Sequence, residues 1–124
     1  MSNLTPGGPP ATLEEFRDAL RQFASDRDWD QFHSPKNLAI ALSVEAAELL
    51  EHFQWMTEAE STALSPEQHA MVREEAADVL LYLIRLADKL GIDLLGAASA
   101  KIEFNAKKYP VEKCRGSSKK YTEL

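Results

Sequence analysis

The sequence predicts an all-α, four-helix-bundle-like protein, and three observations carry the prediction. Apolar residues recur at helical spacing behind clear N-cap residues, Gly and Pro punctuate the gaps, and no run alternates apolar with polar residues as a half-buried strand would. No internal repeat of solenoid length is present either. A chain of 124 residues suits one domain with a core of its own, and 44% hydrophobic with 27% charged residues is a globular composition.

Each element has its own signal. Residues 1–11, rich in Gly and Pro, read as a flexible arm. Thr12 with Glu15 makes a capping box that opens the first helix, in which Leu13, Phe16, Leu20 and Phe23 form a stripe expected to face a core. Ser34 followed by Pro35 opens the second helix, apolar nearly all round and therefore expected to be surrounded by other helices. Ser65, Pro66 and Gln68 repeat that start for the third and longest helix, which ends at Gly91. A fourth begins at Asp93, carries a weak point at Gly96, and stops before Pro110. Residues 12–110 are thus expected to form the folded domain and 111–124 a loose tail.

A net charge of -6 argues against a nucleic acid polymer as partner. The single cysteine, Cys114, can form no internal disulfide, which fits a reducing compartment. No apolar run has spanning length and no leader pattern opens the chain, so no membrane partner is expected and the predicted location is cytoplasmic.

The chemistry is written in carboxylates. From Leu38 to Leu50 the only side chains other than Ala, Val, Ile and Leu are Ser43, Glu45 and Glu48. Residues three apart lie about 60° apart around a helix, so the two glutamates share a face. Glu75 and Asp78 repeat the arrangement in the third helix. An acidic pair on a solvated face is ordinary, but like charges at this spacing repel, and the second helix has no Lys or Arg at the adjacent turns to offset them. Both pairs on one shared face is the arrangement expected. Four converging carboxylates need a compensating cation, and an all-oxygen donor set selects a hard one. Mg²⁺, or Mn²⁺, sharing a phosphorylated ligand fits best.

The run "RDWDQFHSPKNLAIALSVEAAELLEHFQW", followed by "EEAADVLLYLIRLA" and "KIEFNAKKYP", resembles the MazG-like all-α nucleoside triphosphate pyrophosphohydrolases, and within them the dCTP pyrophosphatase branch. The resemblance spans about residues 13–109. It implies a homodimer or homotetramer that hydrolyses a deoxynucleoside triphosphate, dCTP or a modified dCTP, to the monophosphate and pyrophosphate. It also implies that Glu45, Glu48, Glu75 and Asp78 are the Mg²⁺ ligands, with Glu48, and less so Glu45, a candidate for the group that takes the proton of the attacking water.

Around these acids the expected substrate contacts are Trp29, His33, Asn37, Trp55 and Tyr82, together with Lys101, Asn105 and Lys108. Trp faces stack on a base, Tyr82 follows Asp78 by one turn, and Asn37 precedes Glu45 by two turns. Lys101, Asn105 and Lys108 fall on one face of the fourth helix and carry cationic and amide donors suited to phosphate. One position departs from the animal-type pattern: a histidine is expected nine residues before the R-D-W tryptophan, and Leu20 stands there. The alternative function is a non-catalytic helical interaction module whose acids bind a metal only to stabilise the fold.

Overall fold

The computed structural model describes residues 8–123, so most of the expected N-terminal arm lies outside the described residues. All regular structure among those residues is helical: α1 (Leu13–Asp26), a 3₁₀ turn (Asp30–Phe32), α2 (Pro35–Glu51), α3 (Glu58–Ser61), α4 (Pro66–Lys89), α5 (Leu94–Lys108), α6 (Val111–Cys114) and a second 3₁₀ turn (Tyr121–Glu123). None of these helices is long and apolar enough to cross a membrane. The described residues divide into two compact units, the first ending at Gly91 and the second beginning at Ile92.

Every long helix begins where its cap residue stands. Thr12 Oγ1 accepts from the Glu15 amide at 3.1 Å, Ser34 Oγ from the Asn37 amide at 3.1 Å, and Asp93 Oδ1 from the Gly96 amide at 3.1 Å. At α4 the cap is reciprocal: Ser65 Oγ accepts from the Gln68 amide while Gln68 Oε1 accepts from the Ser65 amide. Gly91 follows the end of α4 with φ +65°, a left-handed conformation that a side chain resists. A Cβ at Gly96 would run into the capping carboxylate of Asp93, so this glycine makes room for the cap.

In the first unit α2 packs chiefly on α4, and α1 packs on α4 as well. The small core comprises Ala19 and Ala24 from α1, Leu38 from α2, and Ile84 and Ala87 from α4. Two expectations are corrected here. The stripe of α1 does not face a packed core: Phe16, Leu20 and Phe23 line a cavity, and the buried contacts of α1 come from its small residues Ala19 and Ala24. Nor is α2 surrounded by helices within the chain. Leu38 is buried, but Ile40 is 53% exposed, and Val44 and Leu50 are exposed too. The face that meets α4 is the one bearing Glu45 and Glu48, as the paired acids predict.

Two short elements had no sequence expectation. Thr57 caps α3 through the Glu60 amide, and the 3₁₀ turn Asp30–Phe32 links α1 to α2. Asp28, just before that turn, holds φ 54°, which Asp tolerates better than most residues. In the second unit the stretch after Pro110, expected to lack regular structure, contains α6, and Tyr121 meets Tyr109 edge to face at 6.1 Å.

Because α4 carries Glu75, Asp78 and Tyr82 on one rod, its start sets their register. Ser65→Ala removes one half of the reciprocal cap and is expected to lower stability by about 1 kcal/mol, read from the urea midpoint with the slope unchanged.

Candidate functional site

The facing sides of α2 and α4 bring acids together. One carboxylate oxygen from each of Glu45, Glu48 and Glu75 lies within 4.8 Å of the others, and each residue is half-buried. Glu45 Oε2 and Glu75 Oε2 are buried with no hydrogen-bond partner. Loss of water raises the Glu45 carboxyl to about 7, helped by the carboxylates of Glu48 and Glu75, which share its proton, and by the charges of Glu48 and Asp78. Unpartnered buried oxygens on crowded carboxylates are the donor set a divalent cation satisfies. These residues therefore fit a hard metal ion. Asp78 lies outside the tight trio and more exposed, one turn along α4 from Glu75, and its charge still acts on Glu45.

Beside the acids lies a cavity of about 450 Å³, walled on the apolar side by residues of α1 including Phe16, Ala19, Leu20 and Phe23. Its polar wall consists of His33, Asp78, Tyr82 and Arg85, and Trp29, Leu81 and Pro10 also line it. That volume is in the range of small-molecule sites. Trp29 is oriented by Phe23, whose ring meets it edge to face at 5.8 Å, and the Arg27 guanidinium covers Phe23 at 3.6 Å. The acid trio and the cavity adjoin through Asp78, which belongs to the cavity wall and acts on Glu45.

Of the residues expected to contact a substrate, Trp29, His33 and Tyr82 line this cavity together with Asp78. Asn37 is engaged otherwise: its side-chain nitrogen donates to the Phe32 carbonyl at 3.0 Å and so ties down the turn next to His33. Trp55 does not line the cavity and is 87% exposed, past the end of α2. Lys101, Asn105 and Lys108 lie on α5 of the second unit, where the Lys108 ammonium sits 3.9 Å over the Tyr121 ring.

Arg85 had no place among the expected residues, yet it is only 6% exposed and lines the cavity. Its Nη2 donates to Asp30 Oδ1 at 2.6 Å, its Nη1 to Asp88 Oδ2 at 3.4 Å, and its Nε to His33 Nδ1 at 3.2 Å. Arg21 donates twice to Asp88, at 2.8 and 2.5 Å, and holds that carboxyl below its ordinary range. Lys89 does the same for Asp30. One signal was present in the sequence: Arg85 is the lone cation in the apolar run "VLLYLIRLA", three residues after Tyr82 and seven after Asp78, on their face.

A model of the MazG-like family matches residues 40–124. Over 118 residues the chain is 46% identical to dCTP pyrophosphatase 1 of Homo sapiens and to that of Rattus norvegicus, covering 94% of this chain and 69% of each relative. The crystal structure of a pyrophosphatase from Archaeoglobus fulgidus superposes with a TM-score of 0.76 at 42% identity, covering 83% of this chain and 96% of that one. The protein is an enzyme of the pyrophosphohydrolase class. It belongs to the MazG-like family.

The raised Glu45 value fixes a pH dependence for the metal-free protein. A carboxyl that binds its proton more tightly when folded stabilises the fold fully below about pH 4.5 and loses that contribution as pH rises through about 7. Glu45→Gln is expected to be increasingly more stable than the parent from pH 4.5 to 7, measured by urea unfolding in the presence of a chelator. Equal stability of the two proteins at every pH would contradict it.

Proposed function

We propose that the chain hydrolyses a deoxynucleoside triphosphate, dCTP or a modified dCTP, to the monophosphate and pyrophosphate in a Mg²⁺-dependent reaction that clears the nucleotide pool. The observation that carries this is the half-buried trio Glu45, Glu48 and Glu75, with two orphaned oxygens, adjoining a cavity of about 450 Å³. The names of the relatives, dCTP pyrophosphatase 1, point to the same base. With enzyme status settled, the non-catalytic alternative is set aside.

Glu45, Glu48, Glu75 and Asp78 would hold the metal, with Mn²⁺ a substitute. When bound, Mg²⁺ supplies neutralisation of the phosphate charges and electrophilic assistance at phosphorus. The chain itself supplies position. Trp29 stacks on the base, the Tyr82 hydroxyl meets the sugar, and the apolar α1 wall keeps water from the base. Leu20 in that wall favours a cytosine carrying an apolar substituent over one that needs a polar partner there. Glu48 accepts the proton of the attacking water and Glu45 assists. Asn37 acts through the Phe32 carbonyl and the loop it holds. Trp55 belongs with the base contacts on the resemblance alone, and Lys101, Asn105 and Lys108 with the phosphates on the same ground.

On this reading residues 12–110 are the catalytic part and the protein works in the cytoplasm. It also works as a homodimer or homotetramer. Ile40, Val44 and Leu50 leave α2 with an exposed apolar face, more than a monomeric surface helix ordinarily shows.

Pyrophosphate rather than orthophosphate is expected from dCTP with Mg²⁺, measured by coupled assay, and turnover of no member of a panel of canonical and 5-modified nucleotides would sink the proposal. Glu48→Ala is expected to lower kcat at least ~100-fold with the helical circular dichroism retained. For assembly, sedimentation of the intact chain is expected to give a dimer or tetramer, and Ile40→Glu to shift it towards monomer; a parent protein that sediments as a monomer would refute the self-association.

A further inference from the structure

Within the cavity wall one polar group has a fixed proton. Arg85 Nε lies 3.2 Å from His33 Nδ1, and a guanidinium nitrogen carries protons but no free lone pair, so it only donates. Nδ1 of His33 is therefore the acceptor. An imidazolium, with both nitrogens protonated, has no lone pair to offer and does not fit this contact. Neutral His33 then carries its single proton on Nε2.

The guanidinium that imposes this is not free to turn. Arg85 is buried and held by the carboxylates of Asp30 and Asp88. Asp88 is gripped in turn by Arg21 from α1, and Asp30 by Lys89. The backbone beside His33 is tied by the Asn37 amide to the Phe32 carbonyl. Loss of water and the nearby positive charges of Arg85 and Lys89 lower the His33 value, against the opposing pull of Asp30, so the imidazole stays neutral near pH 7.

No group among the described residues takes the Nε2–H of His33, and His33 lines the cavity opposite an apolar wall. A donor without a protein partner, opposite an apolar wall, selects a ligand that brings an acceptor. We infer that Arg85 is a positioning residue that locks His33 in its Nε2–H tautomer, and that this N–H donates to a ring carbonyl oxygen of the base held in the cavity. The inference rests on the reading of that cavity as the base site. Arg85 itself directs hydrogen bonds at His33, Asp30 and Asp88 and acts on the ligand through His33.

Imidazole proton–nitrogen correlation spectra of the intact, nucleotide-free protein test the first half. The chain has three histidines, and His52→Gln and His69→Gln assign His33. A single Nε2–H tautomer at pH 7 is expected for His33, and Arg85→Met is expected to give the averaged spectrum of a free imidazole with its titration moved up. If removing a buried guanidinium prevents folding, the parent spectrum alone still decides, because an Nδ1–H tautomer or an imidazolium at pH 7 would overturn the lock. For the second half the probe is dCMP, which is expected to shift the His33 Nε2–H resonance. In kinetics Arg85→Lys is expected to raise KM for dCTP by roughly tenfold, the worth of one hydrogen bond, with kcat changed by less than about threefold. His33→Gln, which keeps an N–H donor, is expected to restore more binding than His33→Leu. A protein that turns over dCTP while dCMP leaves His33 unmoved would refute the base contact and leave the proposed activity standing. A protein that turns over no nucleotide would remove the proposed activity, and the tautomer measurement would still decide the lock.

Discussion

The first unit is organised around a repulsion. Three carboxylates from α2 and α4 stand within 4.8 Å of one another, and two of their oxygens are buried without a partner. Left alone, such an arrangement pushes two helices apart, since buried like charges cost more than the pair of helices gains from any single contact. It persists because α2 meets α4 through apolar neighbours such as the buried Leu38, and because Glu45 takes up a proton when no cation is present. The packing that makes the fold therefore also stores the demand for positive charge, and a bound ion and a folded first unit are coupled outcomes of the same helix pair.

A second charged cluster solves the opposite problem. Near the end of α4, Arg85 is buried, but its hydrogen bonds are directed at two carboxylates and an imidazole, and those carboxylates are themselves shared with Arg21 and Lys89. Where the acid trio is left wanting, this cluster is nearly satisfied, and satisfied polar networks rigidify. The middle of α4 thus holds groups that await a partner and its C-terminal part holds groups that have theirs. The cavity lies between two different electrostatic regimes on one helix.

Much of this was legible in the sequence because the signals are local. Thr12, Ser34, Ser65 and Asp93 start their helices through hydrogen bonds spanning three residues, and Gly91 ends α4 through its own φ. The pairing of Glu45 and Glu48 with Glu75 was also readable, since each pair lies on one helix face and repulsion without a local cation asks for a common solution. What escaped depends on partners far apart in the chain. Arg85 reaches His33 and Asp30 over 52 and 55 residues, and Arg21 reaches Asp88 over 67, separations at which periodicity carries no information. That the other faces of α2 go uncovered within the chain escaped for another reason: apolar residues on every side read as burial on every side, and Ile40 and Val44 came out exposed.

A straight helix is also a measure of length. From Glu75 to Arg85 is ten residues of α4, about 15 Å along the axis at the rise of an α-helix. The acids mark one end of that interval and the His33–Arg85 contact the other, so on the proposed function the helix would work as a gauge with a reading head at each end. An elongated ligand whose charged and ring portions are separated by a matching span would register at both heads at once; a shorter one would engage only one of them. Under that geometry the number of residues between Asp78 and Arg85 matters as much as their identity. One inserted residue would rotate the two heads about 100° out of phase, and the gauge would lose its calibration while every side chain that forms it remained in the sequence.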